Sequence, residues 1–336
     1  MLFLIKNNFR YINNILDLYK EAGERYLLIF IFLNFLKTFL EISGLGILAG
    51  YFFNSSKELF PLGIKSNVSQ AFFILLILVF IRGLIKIIIT SFEEQVRNSF
   101  SDKLRSELFT KVLYASSSDI GKIGRGELLG LLVTDINRSV NALNQSILSI
   151  TALISIIAFS FGILFISKNS AIGLFLGLIA SFLSFSLRKE DNWKLGTLQS
   201  NLINSVQKTL GDGLFGLKSV KAASAEKWLI QRFDKETAQF RRIREKLLID
   251  QSLLNGLRDL FVVLIVGIWL FLTKENLSKF AIASTLIFVY RVATSTGNFI
   301  NSQRFCIASL PGYQNLKVLR KKIKTNQSNL QIKNKI

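Results

Sequence analysis

The chain has 336 residues, 50% of them hydrophobic, and a mean hydropathy of +0.40, which together exclude an ordinary soluble domain. Its net charge of +20 points to an anionic partner or surface. A single cysteine and the absence of histidine exclude an intramolecular disulfide, a cysteine metal cluster and the commonest general base.

The N-terminal segment, residues 1–25, is predicted to form an amphipathic helix. Phe9, Ile12, Leu16 and Tyr19 fall at helical spacing, and basic residues surround them. Because a helix of this kind lies in the membrane interface, we expect an elbow helix on the inner surface ahead of the first membrane span.

Six apolar stretches follow, and a bilayer core takes about 20 helical residues. The stretches are Tyr26–Phe53, Val68–Phe92, Val140–Ser167, Ala171–Leu187, Asp259–Leu272 and Phe280–Ile300. The fifth is short unless it begins upstream, near Leu253. The predicted fold is therefore all-α, a polytopic membrane protein with six transmembrane helices.

Basic residues are concentrated in the N-terminal segment, in two long connections and after the last span. The long connections are Glu93–Ser139 and Arg188–Leu257, whereas the short ones, Asn54–Asn67, Lys168–Ser170 and Thr273–Lys279, carry few basic residues. This positive-inside distribution predicts that both termini and both long connections are cytoplasmic, in an inner or plasma membrane. It disfavours a nucleic-acid partner and favours membrane lipid, since the charge flanks the spans.

Each long connection is predicted to be a helical hairpin that reaches far into the cytoplasm. In the first, the helical pattern continues beyond Phe92, Ser116–Gly126 forms the tip, and helix resumes at Glu127. In the second, Gly211–Gly216 interrupts the outgoing helix, and Ala222–Lys246 returns towards the membrane.

Apart from Asp259, the first residue of the fifth span, five charged residues lie inside the predicted spans. Lys37 and Glu41 are four residues apart in the first span, Arg82 and Lys86 in the second, and Arg291 lies in the middle of the sixth. Because intramembrane charges normally face a bundle interior or a wet cavity, four basic groups and one acid predict a substrate cavity for an anionic headgroup. Alternatively, Lys37 and Glu41 form an intrahelical pair, and Arg82 and Lys86 snorkel or pair with another helix.

Both hairpin tips resemble the transmembrane half of ABC exporters. Gly126–Leu129 (GELL), followed by Thr134–Ile136 (TDI), looks like the "GEL…tDi" stretch that follows the first tip in that family. The second tip looks like the family's "E…G…iK…E" stretch at Asp212, Gly216, Lys221 and Glu226, with Asp in the usual Glu position. The resemblance extends from the N-terminal helix to about Asn315.

The resemblance implies that two six-helix units associate, as a homodimer or a heterodimer, and that the tips fit into clefts on ATP-binding domains. The residues of the two coupling helices would then include Asp119, Ile120, Lys122, Ile123, Asp212, Leu214, Phe215, Gly216 and Lys218. It also implies three segments: an elbow helix over 1–25, a transmembrane domain over 26–316, and a basic linker with the truncated start of a nucleotide-binding domain over 317–336.

One departure from the family concerns ATP hydrolysis. The sequence has no G-x-x-x-x-G-K-[ST] phosphate loop, because its only Gly-Lys pair, Gly121-Lys122, is followed by Ile123. We therefore expect no catalytic, cofactor-binding or metal-binding residues in this chain, with ATP and Mg²⁺ bound by a partner nucleotide-binding domain. Two alternatives remain: a non-transporting remnant or regulatory partner of such a transporter, and a membrane-embedded enzyme acting on lipids or glycans.

Overall fold

The structure is a computed structural model. It describes residues 13–23, 25–53, 58–59, 64–65, 68–116, 123, 128–166, 172–173, 175–179, 181, 192–273 and 279–322. Within these ranges the chain is helical except for short turns and one antiparallel ribbon of two-residue strands, β1 (Glu58–Leu59) and β2 (Ile64–Lys65).

Three of the helices are far longer than a bilayer core is thick. In chain order the helices are α1 (13–22), α2 (Arg25–Phe53), α3 (Val68–Leu113), a π-helix (Gly130–Asp135) that runs into α4 (Ile136–Ile166), α5 (Asn192–Phe215), α6 (Leu217–Ala222), α7 (Glu226–Thr273) and α8 (Lys279–Lys322). At 1.5 Å per residue, α3, α7 and α8 are each about 66–72 Å long. A bilayer core is about 30 Å thick, so each can cross it and project well beyond.

Four helices have the length and apolar composition of membrane spans, which makes the chain a helical membrane protein. Among the described residues these are Leu28–Ile47, Ser69–Leu113, Gly130–Gly162 and Glu226–Leu272. In the most apolar window of α3 only 11% of the residues are buried inside the protein. So large an exposed apolar surface suits a lipid environment.

These four helices contain the first, second, third and fifth predicted spans. The fifth lies within the unbroken helix α7, as its short apolar length required. Most of the fourth, Ala171–Leu187, lies outside the described residues. The sixth, Phe280–Ile300, lies at the start of α8, which is not among these four helices.

Two clusters of buried apolar side chains hold the helices together. The first joins α1, α3, α4 and α8, with Phe100, Leu143 and Leu310 at most 1% exposed. The second joins α4, α7 and α8 at the level of the predicted spans. There the rings of Phe159 and Phe288 pack edge to face with centroids 6.0 Å apart.

Helix α1, the described part of the predicted elbow, is fastened to α3 and α8. Leu18 is fully buried in the first cluster. The Glu21 carboxylate accepts hydrogen bonds from the Tyr313 hydroxyl at 2.8 Å and from Arg320 at 2.5 Å. Arg320 also donates to Glu107 on α3 at 2.8 Å. The N-terminal helix is therefore tied to the last turns of α8.

The predicted boundaries of the second hairpin were wrong. Helix α5 runs through the supposed break at Gly211 as far as Phe215. The chain turns at Gly216 and again just before Glu226, where Ser224 has a φ of 48°. A Cβ at Gly213 would lie 2.7 Å from Leu229 Cδ2, so this glycine allows α5 and α7 to approach closely and does not end the helix.

The first hairpin tip falls mostly outside the described residues, which resume with the isolated Ile123 and then at Leu128. Helix α3 ends at Leu113, slightly before the predicted break. The returning helix opens with a π-helical stretch, a conformation that the sequence pattern did not predict.

The predicted linker over 317–336 begins inside α8. That helix continues through Pro311 to Lys322 because Leu310, Tyr313, Leu316 and Leu319 present one buried face to the first cluster. Residues 323–336 lie outside the described part of the chain.

Candidate functional site

A cavity of about 620 Å³ opens among α2, α3, α4, α7 and α8. All five charged residues predicted for a substrate cavity line it: Lys37, Glu41, Arg82, Lys86 and Arg291. They come from three helices, so the assembled fold brings together residues that are up to 254 positions apart in the sequence. Neutral polar side chains complete the lining, among them Gln145, Thr151, Gln251, Asn255, Ser295 and Asn298.

Glu41 is the centre of this charged group. Its Oε2 lies 2.9 Å from a terminal guanidinium nitrogen of Arg82, and its Oε1 lies 3.1 Å from one of Arg291. The Glu41 side chain is only 11% exposed, whereas the two arginine side chains are 38% and 42% exposed. One carboxylate therefore links α2, α3 and α8 through its two oxygens.

The alternative pairing within α2 does not hold for Lys37. Its ammonium donates to the Asn34 side-chain oxygen at 3.2 Å, while Glu41 takes both of its ion-pair partners from other helices. For Arg82, the alternative that it pairs with another helix is confirmed.

The chemistry of this cavity suits an anion. Its lining has four basic side chains and one acidic side chain. Guanidinium and ammonium groups are the strongest donors to carboxylate and phosphate oxygens. In the part of the chain that the structure describes, no group of three or more His, Cys, Asp or Glu residues could hold a metal ion.

A second cavity, of about 450 Å³, adjoins the first, and Phe305 lines both. It lies between α4, α5, α7 and α8 and contains Arg138 and Arg244, with no acidic residue in its lining. Helices α4, α7 and α8 line both cavities. The first cavity lies nearer the predicted spans, and the second lies further along these helices, towards the second hairpin.

Asp135, within the TDI motif, forms a buried polar junction beside the second cavity. Its side chain is 0% exposed. One carboxylate oxygen accepts from the Asn315 amide at 2.9 Å, and the other accepts from the Ser200 hydroxyl at 3.4 Å. The motif therefore joins the start of α4 to α5 and α8. Sequence reasoning missed this role, since polar residues are ordinary in a helix that projects from a membrane.

Arg138 extends this junction by one turn. Its guanidinium donates to the backbone carbonyls of Gly196 at 2.9 Å and Ala308 at 2.8 Å. A Cβ at Gly196 would lie 2.3 Å from the Ala308 carbonyl oxygen, so α5 and α8 touch backbone to backbone here. Neither the arginine nor the glycine carries a sequence signal for this contact.

The second tip, defined as Leu210–Ile230, presents apolar side chains at the far end of the α5–α7 hairpin. Leu214, Phe215 and Leu217 are 65%, 59% and 49% exposed. A shallow groove of about 220 Å³ lies next to them, lined by Leu210, Gly213, Leu229, Ile230 and Phe233 among others.

The predicted coupling residues are placed only in part. Asp212 and Lys218 are exposed on the second tip, and Gly216 forms its turn. Ile123 of the first tip packs partly buried against the first cluster. The remaining predicted residues of that tip, Asp119, Ile120 and Lys122, lie outside the described residues.

No protein-family model matches this sequence, and no curated protein matches it. A functional assignment therefore depends on the charged cavity and the second tip.

Proposed function

We propose that the chain is the transmembrane (permease) unit of an ABC-type exporter. It would have six membrane spans, with both termini and both hairpins in the cytoplasm, and would work by alternating access driven by ATP. The observation that carries the proposal is the continuity of α7 from the cavity to the second tip. Gln251 and Asn255 line the cavity, and the same unbroken helix begins at Glu226 beside the tip.

This continuity gives a mechanical link between the two ends of the hairpin. The stretch from Glu226 to Gln251 spans about 40 Å of α-helix at 1.5 Å per residue. The tight contact of Gly213 with Leu229 holds α5 against α7 at the tip. Movement of the tip would then reposition the cavity wall as a rigid-body rotation, which is a common form of switching in proteins.

The exposed apolar side chains of the second tip support a protein partner. Leu214, Phe215 and Leu217 are exposed on a hairpin that would project from the membrane, where lipid would not cover them. The partner that we propose is a nucleotide-binding domain that holds ATP and Mg²⁺. Its closure on ATP would draw the tips of two transmembrane units together and open the cavity to the outside.

The cavity supports an anionic substrate class. The four cations around a single carboxylate favour an anionic lipid or a lipid-linked glycan over a neutral or cationic molecule. A second transmembrane unit, identical or not, would close the open side of this cavity.

The tip assignment is tested by purifying the chain from its native membranes and measuring the ATPase that accompanies it. We expect Leu214→Asp and Phe215→Asp to reduce the co-purifying ATPase at least tenfold, because a charge in a desolvated apolar interface costs roughly 2–4 kcal/mol. The matched control is Gln239→Asp, which adds the same charge at an exposed position along α7.

Two results would contradict the proposal. If the tip variants retain as much ATPase as the control, the partner does not bind at the second tip. If no ATPase accompanies the unmodified chain, the transporter assignment gives way to a non-transporting regulatory partner.

A further inference from the structure

We propose that Glu41 is an exchangeable counter-ion that occupies the position of a substrate phosphate group. An incoming phosphate monoester would displace the Glu41 carboxylate from Arg82 and Arg291 and bind both guanidinium groups. This inference rests on the proposed function in one respect, namely that the ligand carrying the phosphate is the transported substrate.

The geometry around Glu41 is that of a bound anion. Two guanidinium groups from different helices converge on it, one at each oxygen, at 2.9 and 3.1 Å. Each arginine contacts Glu41 through a terminal nitrogen, and a guanidinium carries five donors in all. A phosphate group, with three free oxygens, can take the place of the two carboxylate oxygens and still accept further donors.

The charge balance favours the exchange. With Glu41 in place, Lys37 and Lys86 still leave the lining with more cations than anions. Lys37 is one helical turn from Glu41 on α2, and Lys86 is one turn from Arg82 on α3. A phosphate dianion carries twice the charge of the Glu41 carboxylate, so it balances more of this group of cations than the carboxylate does.

A resident counter-ion also explains how a site with such strong donors could release its ligand. Without Glu41, four cations would hold a phosphate tightly and slow its departure. With Glu41, binding and release are both exchange reactions, in which the carboxylate recaptures Arg82 and Arg291 as the phosphate leaves. A transport site needs this balance, since a ligand must bind well enough to enter and weakly enough to exit.

The rest of the lining suits an amphiphile. Leu148, Phe159 and Phe305 offer apolar contacts for acyl or prenyl chains, and amide side chains such as Gln251 and Asn298 can bind sugar or glycerol hydroxyls. The site would recognise a phosphate group, which a lipid headgroup and free inorganic phosphate share. The two arms of the test distinguish these two sources.

The test uses the full chain in phosphatidylcholine nanodiscs and measures binding by calorimetry, without ATP or a partner. One arm titrates dioctanoyl phosphatidic acid, and the other titrates inorganic phosphate. The variants are Glu41→Gln, Arg82→Gln and Arg291→Gln. The matched control is Glu94→Gln, which removes a carboxylate that pairs with Arg97 on α3 outside the cavity.

We expect Glu41→Gln to tighten phosphatidic acid binding by about tenfold, since the competing carboxylate is gone, and each arginine variant to weaken it by about tenfold. Glu94→Gln should leave the affinity unchanged. Binding in the phosphatidic acid arm alone identifies the ligand as a lipid phosphate, whereas equal binding in both arms identifies the phosphate group as sufficient.

The proposal is overturned if Glu41→Gln binds phosphatidic acid no more tightly than the unmodified chain, in which case Glu41 only ties three helices together. If that variant does not fold, Glu41→Asp provides a second test, because removing one methylene group weakens the carboxylate's contact with both arginines and should also tighten phosphatidic acid binding. Since the assay needs no ATPase, a failure here and a failure of the exporter proposal give separate results.

Discussion

Asp135 illustrates how much a single buried polar residue can contribute to this fold. Its carboxylate is fully buried and accepts hydrogen bonds from Asn315 and Ser200 on two other helices. A buried donor left without its acceptor costs about 1–3 kcal/mol, so this junction is sensitive to loss of the carboxylate.

We expect Asp135→Ala to lower the free energy of unfolding by about 1–3 kcal/mol, since the Ser200 hydroxyl loses its buried acceptor and the Asn315 amide keeps only its 3.2 Å contact with the Ser200 oxygen. Asp135→Asn keeps one acceptor oxygen and should cost about half as much. The measurement is denaturant unfolding of the detergent-solubilised protein, with the exposed Asp234→Ala as the control. Equal stability of Asp135→Ala and the control would show that the junction contributes nothing.

The charged cavity residues could be predicted from the sequence, whereas the role of Asp135 could not. Lys37, Glu41, Arg82 and Arg291 interrupt long apolar stretches, so their membership of one cavity could be predicted. Which cation pairs with Glu41 could not, because that choice depends on how α2, α3 and α8 pack. Asp135 lies among other polar residues and gives no such signal.

In the packing of whole helices, glycines allow neighbouring helices to approach each other closely. Gly196 on α5 lies against the backbone of Ala308 on α8, and Gly213 lies against Leu229. In both places a methyl group would meet atoms of the neighbouring helix within 2.7 Å. Overpacking of this kind costs typically 1–3 kcal/mol.

Gly196→Ala is therefore expected to destabilise the protein by about 2–3 kcal/mol, because its neighbour is rigid backbone. The control is Gly256→Ala on α7, where nothing lies within 4 Å of the new Cβ. That substitution should be neutral or stabilising by up to about 1 kcal/mol through helix propensity. Thermal unfolding of both variants checks the pair, and a loss of stability in Gly256→Ala alone would contradict the packing.

The same glycines explain why helix ends were predicted less well than helices. Gly211 and Gly213 suggested a break in the second hairpin, but α5 continues to Phe215 because packing against α7 outweighs the weak propensity of glycine. In α8, the apolar face that ends at Leu319 continues the helix past Pro311 to Lys322.

For the molecule as a whole, the property to test is its orientation in the membrane. The basic connections predict that the second tip faces the cytoplasm and that the β1–β2 ribbon faces the outside. The single native cysteine simplifies a test, because Cys306 is 1% exposed and burial raises the pKa of its thiol to about 12. It stays protonated at neutral pH and should resist maleimides.

We expect Ser219→Cys, on the exposed α6, to react with a membrane-impermeant maleimide only after cells are permeabilised. Lys65→Cys, in β2, should react in intact cells. The unmodified protein, with Cys306 alone, is the control and should stay unlabelled in both conditions. If the maleimide labels Ser219→Cys in intact cells, the second tip lies outside the cell. An ATP-driven partner could then not bind at that tip.

Composition along the chain was sufficient to predict a helical membrane protein, helices far longer than a bilayer core is thick, and five charges that line one cavity. These follow from local physics: apolar runs of span length leave water, and a charge within such a run must find a polar partner. Only the assembled fold determined that Glu41 pairs with Arg82 and Arg291, that Asp135 forms a junction, and where α5 and α8 end. Each is a contact between helices distant in sequence, and its partner is set by packing that no local pattern records.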